Sequence, residues 1–157
     1  MSEDLEIATG TKEQQYLSLL PQIEAVINGE SDLIANLANI SACLHYQFRW
    51  LWVGFYLVKE NDLVLGPFQG PLACTRIKKG KGVCGKAWEE MHTVIVPDVN
   101  IFPGHIACSS LSVSEIVVPI IKDNEVIAVL DCDSEQHSHF DKIDQLFLEE
   151  LVSMIKF

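Results

Sequence analysis

Residues 115–133 read EIVVPIIKDNEVIAVLDCD, two apolar runs, Glu115–Ile121 and Glu125–Asp133, around the polar triplet Lys122, Asp123 and Asn124. Valine- and isoleucine-rich runs joined by a short turn signal predict a tight antiparallel hairpin lying centrally in a sheet. Upstream, Leu51–Lys59 (LWVGFYLVK) is aromatic and β-branched, Glu60, Asn61 and Asp62 supply a turn, and Leu63–Gln69 reads as the return strand. Val94, Ile95 and Val96 form a short strand ended by Pro97. The segment Asp98–Ser114 is rich in Pro, Gly, Ser and Asn, and a loop of that length is where function tends to sit.

Helical periodicity flanks this strand region. Tyr16, Leu19, Leu20, Ile23, Val26 and Ile27 recur at helical spacing up to Asn28 and Gly29, with Pro21 expected to kink the helix or start a new turn. Ser31 or Asp32 can cap a second helix that carries Leu33, Ile34, Leu37, Ala38 and Ile40 and ends near Gln47. A final helix presents Ile143, Leu146, Phe147, Leu151, Met154 and Ile155 on one face. The order predicts a single α/β (α+β) domain over residues 1–157, with N-terminal helices at about 12–47, sheet and loops at about 50–133, and a C-terminal helix at about 140–156.

Composition narrows the function classes. At 157 residues with 48% hydrophobic and 21% charged residues, the chain can bury its own core and is not a disordered one. Its longest apolar run, Trp50–Val58, is nine residues, short of the roughly 20 that a membrane-spanning helix needs. The acidic N-terminus, MSEDLEIATGT, lacks the basic and apolar blocks of a secretory signal, so a cytoplasmic location is expected. A formal charge of −11 repels phosphate backbones, which excludes nucleic acid as a natural partner and disfavours anionic membranes. Five of the 11 basic residues nevertheless fall between Arg76 and Lys86.

Five cysteines, an odd number in a reducing compartment, are core filler or chemistry rather than a disulfide framework. Cys43, on a helix beside Ala42 and Leu44, fits the core. Cys84 lies in KGKGVCGKAWEE, where a helix N-terminus and neighbouring lysines are expected to lower its pKa, and Cys74 shares that field. Cys108 lies in FPGHIACSSLSVSE, a polar loop in which a thiol can meet a substrate and a second cysteine. The spacing C-x9-C-x23-C contains no CxxC or HxxxH pair, so no metal is expected, and His92 and His105 read as surface or hydrogen-bonded residues. The glycines and lysines around Cys84 lack a Walker pattern and do not predict a nucleotide site.

Strand alternation puts Asp131 and Asp133 on one face and turns Cys132 into the core. Hairpin closure around residues 122–124 brings Glu115 opposite them, and three acids at one sheet end can bind an ammonium group or hold one acid protonated for proton donation. Trp50, Trp52 and Tyr56 are expected on one face of their strand, as aromatic core with one of them walling a pocket.

The runs WVGFYL, GPFQGPLACTRIKKGKGVCGKAW, VPDV, FPGHIACSSLSVSEIVVPI and VLDCDSE together resemble the free methionine-(R)-sulfoxide reductase family, which uses a GAF fold. The resemblance runs from about Trp52 into the C-terminal helix, and its three cysteine contexts set it apart from a generic GAF domain. It implies reduction of the R epimer of free methionine sulfoxide, no bound cofactor, thioredoxin as electron donor, and a homodimer. By this resemblance Cys108 attacks the sulfoxide and becomes a sulfenic acid, Cys74 resolves it as a disulfide, and Cys84 takes part in a second exchange. The residues themselves point instead to Cys84 as the thiol of lowest pKa, so the choice of nucleophile stays open between the two. Trp52, Glu115, Asp131 and Asp133 match the family's pocket positions. Glu115 or Asp133 would then be the proton donor, Asp131 the partner of the ammonium, Trp52 the wall against the S-methyl group, and backbone N–H groups of the long loop the partners of the carboxylate. The alternatives are a non-catalytic GAF module that binds a small molecule and a cysteine redox sensor that needs no acid cluster.

Overall fold

The computed structural model describes residues 4–157, so the first three residues of the acidic N-terminal stretch lie outside the described residues. Thr11 starts α1 (Lys12–Ile27) with a capping box, accepting from the Gln14 N–H while Gln14 Oε1 accepts from the Thr11 N–H. Pro21 neither breaks nor restarts this helix. Its missing N–H orphans the carbonyl of Leu17, which lies on the solvent side, where that loss is cheapest. Asp32 caps α2 (Leu33–Phe48) by accepting from the Ala35 N–H.

The sheet follows as β1 (Trp52–Lys59), β2 (Asp62–Gln69), β3 (Arg76–Lys78), β4 (Val94–Val96), β5 (Ser114–Lys122) and β6 (Glu125–Ser134). Helix α3 (Gly82–Glu90) lies between β3 and β4, and α4 (Lys142–Ser153) closes the chain. The strand order is β3-β2-β1-β6-β5-β4 and every neighbouring pair is antiparallel. Asp123 and Asn124 both have left-handed backbone, φ 52° and 62°, the two-residue turn whose twist suits a hairpin. β3 was not expected. Only Ile77 of its three residues is buried, too short a pattern to read beside four lysines.

Alternation divides the sheet into two faces. Val53 and Phe55 of β1, Ile116, Val118 and Ile120 of β5, and Ala128, Leu130 and Cys132 of β6 pack against α1, α2 and α4. Trp52 and Tyr56, Val117 and Val129 face α3. Each large apolar side chain buried in these layers contributes about 1.5–3 kcal/mol, so the three-helix side supplies most of the cohesion.

Two expectations fail at element ends. Trp50 does not share a face with Trp52 and Tyr56: β1 begins only at Trp52, Arg49 has left-handed backbone, and Trp50 stacks on Phe48 in the three-helix core with centroids 4.6 Å apart. On α4 the buried side is Asp144, Phe147, Leu148, Leu151 and Val152, while Ile143 and Leu146 are exposed. The fully buried Asp144 shares the inward face and anchors it, accepting from Tyr16 Oη at 2.8 Å and Lys12 Nζ at 2.5 Å. No helix among the described residues is long and apolar enough to cross a membrane.

Candidate active site

On the α3 face, the end of the sheet where β1, β6 and β5 meet opens into a pocket. Register places Trp52 opposite Asp133, and Asp133 opposite Glu115, in a row across three strands. One step along, Gly54 pairs with Asp131 and Asp131 with Val117. A Cβ at Gly54 would lie 2.6 Å from the Trp52 ring and 2.4 Å from Phe68 Cβ, so only glycine lets the indole lie across the strand. Trp52 is held there by stacking on Phe68 and by its Nε1, which donates to Pro71 O at 3.1 Å.

The pocket is walled by α3 through Gly82, Val83 and Cys84, and by the loop that carries His105, Cys108 and Ser112. Cys108 is disulfide-bonded to Cys74, with their Cα atoms 5.4 Å apart. Tyr56 Oη donates to Cys74 O at 2.9 Å, tying the segment that bears Cys74 to the sheet. The long loop is not wholly irregular. It includes a 3-10 turn at Val99–Ile101, and Val113 N donates to Ser134 O, continuing the β5–β6 pairing beyond Ser114.

The electrostatics of this pocket are unbalanced. Glu115 and Asp131 are buried, and no lysine or arginine lines the cavity among the described residues. Burial pushes the Glu115 carboxyl well up, and the charge of Asp133 pushes it further. Burial, then Asp133 and Glu115, raise Asp131 in the same way. Asp133 is pushed up to about 6, again chiefly by burial, with the Ser112 hydroxyl that donates to its Oδ1 working against the shift. His105 Nε2 stands 3.7 Å from Glu115 Oε2, and burial lowers its pKa. Asp131 Oδ1 has no hydrogen-bond partner among the described residues.

Comparison with known proteins matches this geometry to a family. The GAF domain model matches residues 23–156. The "GAF domain-containing protein A" of Dictyostelium discoideum is 60% identical over 156 residues, covering 99% of both chains. The free methionine-R-sulfoxide reductase of Saccharomyces cerevisiae is 44% identical, over 92% of this chain and 85% of that one. A crystal structure of the Neisseria meningitidis free methionine-R-sulfoxide reductase in complex with its substrate superposes with a TM-score of 0.96 at 54% identity, over 98% of this chain and 93% of that one. The chain belongs to the GAF-type free methionine-R-sulfoxide reductase family.

Within that family frame, the structure gathers Trp52, Cys74, Cys84, Cys108, Glu115, Asp131 and Asp133 around one pocket, Cys74 through its bond to Cys108. It corrects the reading of Cys84. This residue does sit in the first turn of α3, but its side chain turns inward, and Sγ is 3.3 Å from Asp131 Oδ2 and 4.0 Å from Glu115 Oε1. Burial pushes the thiol well up and the charges of Asp131 and Glu115 push it further, the opposite of the expected direction. Three of the neighbouring lysines have partners elsewhere. Lys79 lies over the Trp88 ring and Lys86 over the Phe102 ring, while Lys78 pairs with Asp62. Cys132 is buried on the opposite face and Cys43 is half-buried on α2. His92 pairs with Glu90 on the surface.

Sequence reasoning missed Ser112, a loop serine whose only distinction is the path that brings it to Asp133. The helix N-terminus expected at Cys84 is that of α3, and it lies on the pocket wall. Lys81 provides no side-chain cap, and Gly82, at φ +60° on the pocket wall, leads into N–H groups of the first turn. As to ions, Cys84, Glu115 and Asp131 each offer one donor atom within 4.8 Å of the others.

Proposed function

We propose that this protein reduces free methionine-(R)-sulfoxide to methionine, with Cys108 as the attacking thiolate. The observation that carries this reading is one pocket, lined by no lysine or arginine among the described residues, in which a Cys108–Cys74 pair, the buried carboxyls of Glu115 and Asp131, the half-buried carboxyl of Asp133 and the Trp52 ring converge. Sulfoxide oxygen leaves only once protonated. Burial raises the pKa of Glu115 and so favours its protonated form, which suits it to donate a proton to that oxygen as the Cys108 thiolate attacks sulfur. The S–O bond breaks, methionine departs, and Cys108 becomes a sulfenic acid. The Cys74 thiol then attacks that sulfur, the two bond, and the hydroxyl leaves as water. The two electrons come from the dithiol, and thioredoxin restores it.

Recognition follows from the same groups. Asp131 and Asp133 take the ammonium of the free amino acid, which gives the unpartnered Asp131 Oδ1 a donor. The N–H groups of the first turn of α3, which lines the pocket, suit the carboxylate better than the long loop does, since they combine donors with a positive helix end. Trp52 packs on the S-methyl group. A peptide-bonded methionine sulfoxide brings no ammonium, leaves the acids uncompensated and is refused. A cytoplasmic location and a homodimer belong to the same proposal, the first because regeneration needs a reducing compartment.

The test is methionine release from the free R epimer, the free S epimer and a sulfoxide-containing peptide, with thioredoxin, its reductase and NADPH. Turnover of the free R epimer alone is expected. Turnover of none of the three by folded, reduced protein removes the reading in favour of a redox sensor.

A further inference from the structure

The donors around Cys84 come from three separate elements, so their meeting is invisible in the linear cysteine spacing. Cys84 is on α3, Glu115 on β5 and Asp131 on β6, and all three are buried. One donor atom of each lies within 4.8 Å of the other two. Tetrahedral zinc, with bonds of about 2.3 Å to sulfur and about 2.0 Å to oxygen, has sulfur–oxygen edges of about 3.5 Å. The observed Sγ separations, 3.3 Å to Asp131 and 4.0 Å to Glu115, bracket that edge. His105 Nε2 is 3.7 Å from the second oxygen of Glu115 and lies outside this three-residue cluster.

A second observation points to a cation here. Asp131 is nine-tenths buried, its Oδ1 has no partner, and no lysine or arginine lines the cavity among the described residues. Elsewhere in the chain the fully buried carboxylate Asp144 does have its cation, Lys12.

We propose that Cys84, Glu115 and Asp131 form an inhibitory zinc site, with water completing the tetrahedron. Zinc(II) displaces the thiol proton and the protons held by the carboxyls, which pass to solvent, and no electron is transferred. Thiolate among the donors selects zinc over magnesium and calcium, which require oxygen. The bound ion occupies the place of the substrate ammonium and ties up Glu115, so zinc blocks turnover reversibly and in competition with substrate. That consequence rests on the proposed function, whereas the binding does not. Three contributors also explain why Cys84, too buried and too acidic in its surroundings to be a good nucleophile, remains useful as a ligand: coordination is what makes it a thiolate.

The test uses the full chain with the Cys74–Cys108 bond formed, so that neither of those thiols can bind. Cobalt(II) titration is expected to give one equivalent of binding with a thiolate-to-metal charge-transfer band, displaced by zinc and untouched by magnesium or calcium. Cys43→Ser leaves the band intact, Cys84→Ser removes it and weakens zinc at least 100-fold, and Asp131→Asn weakens it at least 10-fold. X-ray absorption at the zinc edge of the unmutated protein shows one sulfur and otherwise nitrogen or oxygen, a readout that no variant's folding can confound. Absence of stoichiometric binding, a sulfur-free shell, or affinity unchanged in Cys84→Ser overturns the site. Millimolar methionine separates the two readings. If it fails to displace bound zinc, the zinc site stands and the amino-acid reading of the pocket falls; if methionine binds and zinc does not, the reverse holds.

Discussion

Asp144 on the three-helix side of the sheet and the trio on the α3 side, buried Glu115 and Asp131 with half-buried Asp133, are carboxylates handled in opposite ways. Asp144 is fully covered and completely answered: Lys12 Nζ at 2.5 Å, Tyr16 Oη at 2.8 Å and the Asp141 N–H at 2.8 Å. Burial would lower the Lys12 pKa, but the carboxylates of Asp144 and Asp141 outweigh it and raise the value. The trio faces His105 but no lysine or arginine among the described residues, and its pKa values rise. A carboxylate buried with its partner is a fastener joining α1 to α4. Carboxylates buried without one hold a place for a charge that arrives from outside, at a cost in stability that the three-helix core offsets.

The largest effect should come from the thiols. Cys108→Ser is expected to abolish methionine release in the coupled assay, and Cys74→Ser to give a single equivalent without thioredoxin-dependent cycling, measured by rapid quench; sustained cycling in Cys74→Ser would break the assignment. Next, Glu115→Gln removes the proton donor but keeps the shape, and kcat should fall about 100- to 10,000-fold with KM much less affected. Steady-state kinetics with equal effects on both parameters would make Glu115 a binding group only.

The fastener should respond in stability and not in chemistry. Lys12→Met leaves Asp144 buried with its two hydrogen bonds but without its cation, at about 2–3 kcal/mol, the lower end for a buried pair because Lys12 is partly exposed. Urea unfolding reports it, and KM for the sulfoxide should not move. The smallest effect has the opposite sign. Asp133 has a folded pKa of about 6 against an ordinary 3.8, so its stabilising contribution is complete below about pH 4 and is lost as pH rises through 6. Asp133→Asn is therefore expected to raise Tm by a few degrees at pH 7, with the advantage vanishing near pH 4. A thermal melt in which the variant is less stable at pH 7 would mean that Asp133 has a cation after all.

Much of the site was legible because strands have a period of two. Asp131 and Asp133 had to share a face, Cys132 had to leave it, and the hairpin had to carry Glu115 to their side, whatever the rest of the chain did. The same rule failed for Trp50 because β1 begins only at Trp52, and the alternation of a strand does not extend to residues that precede it. On α4 the apolar residues alone suggested a face through Ile143 and Leu146, whereas the polar Asp144 belongs on the buried side. Hydrophobic patterning does not recognise a buried acid whose partners lie on another helix.

Sequence by itself determined the order of elements, the hairpin register, the face of each acid on β6 and the family motif around the cysteines, because all of these depend on local periodicity and short-range composition. Tertiary structure alone decided the state of each thiol. Cys84 reads as activated beside its lysines, yet packing aims it at two carboxylates while the lysines turn to aromatic rings and surface acids. Cys74 and Cys108 are 34 residues apart and meet only because two loops fold over the same sheet end. A pKa and a covalent partner depend on what lies within a few ångströms in space, and for these residues almost none of it is near in sequence.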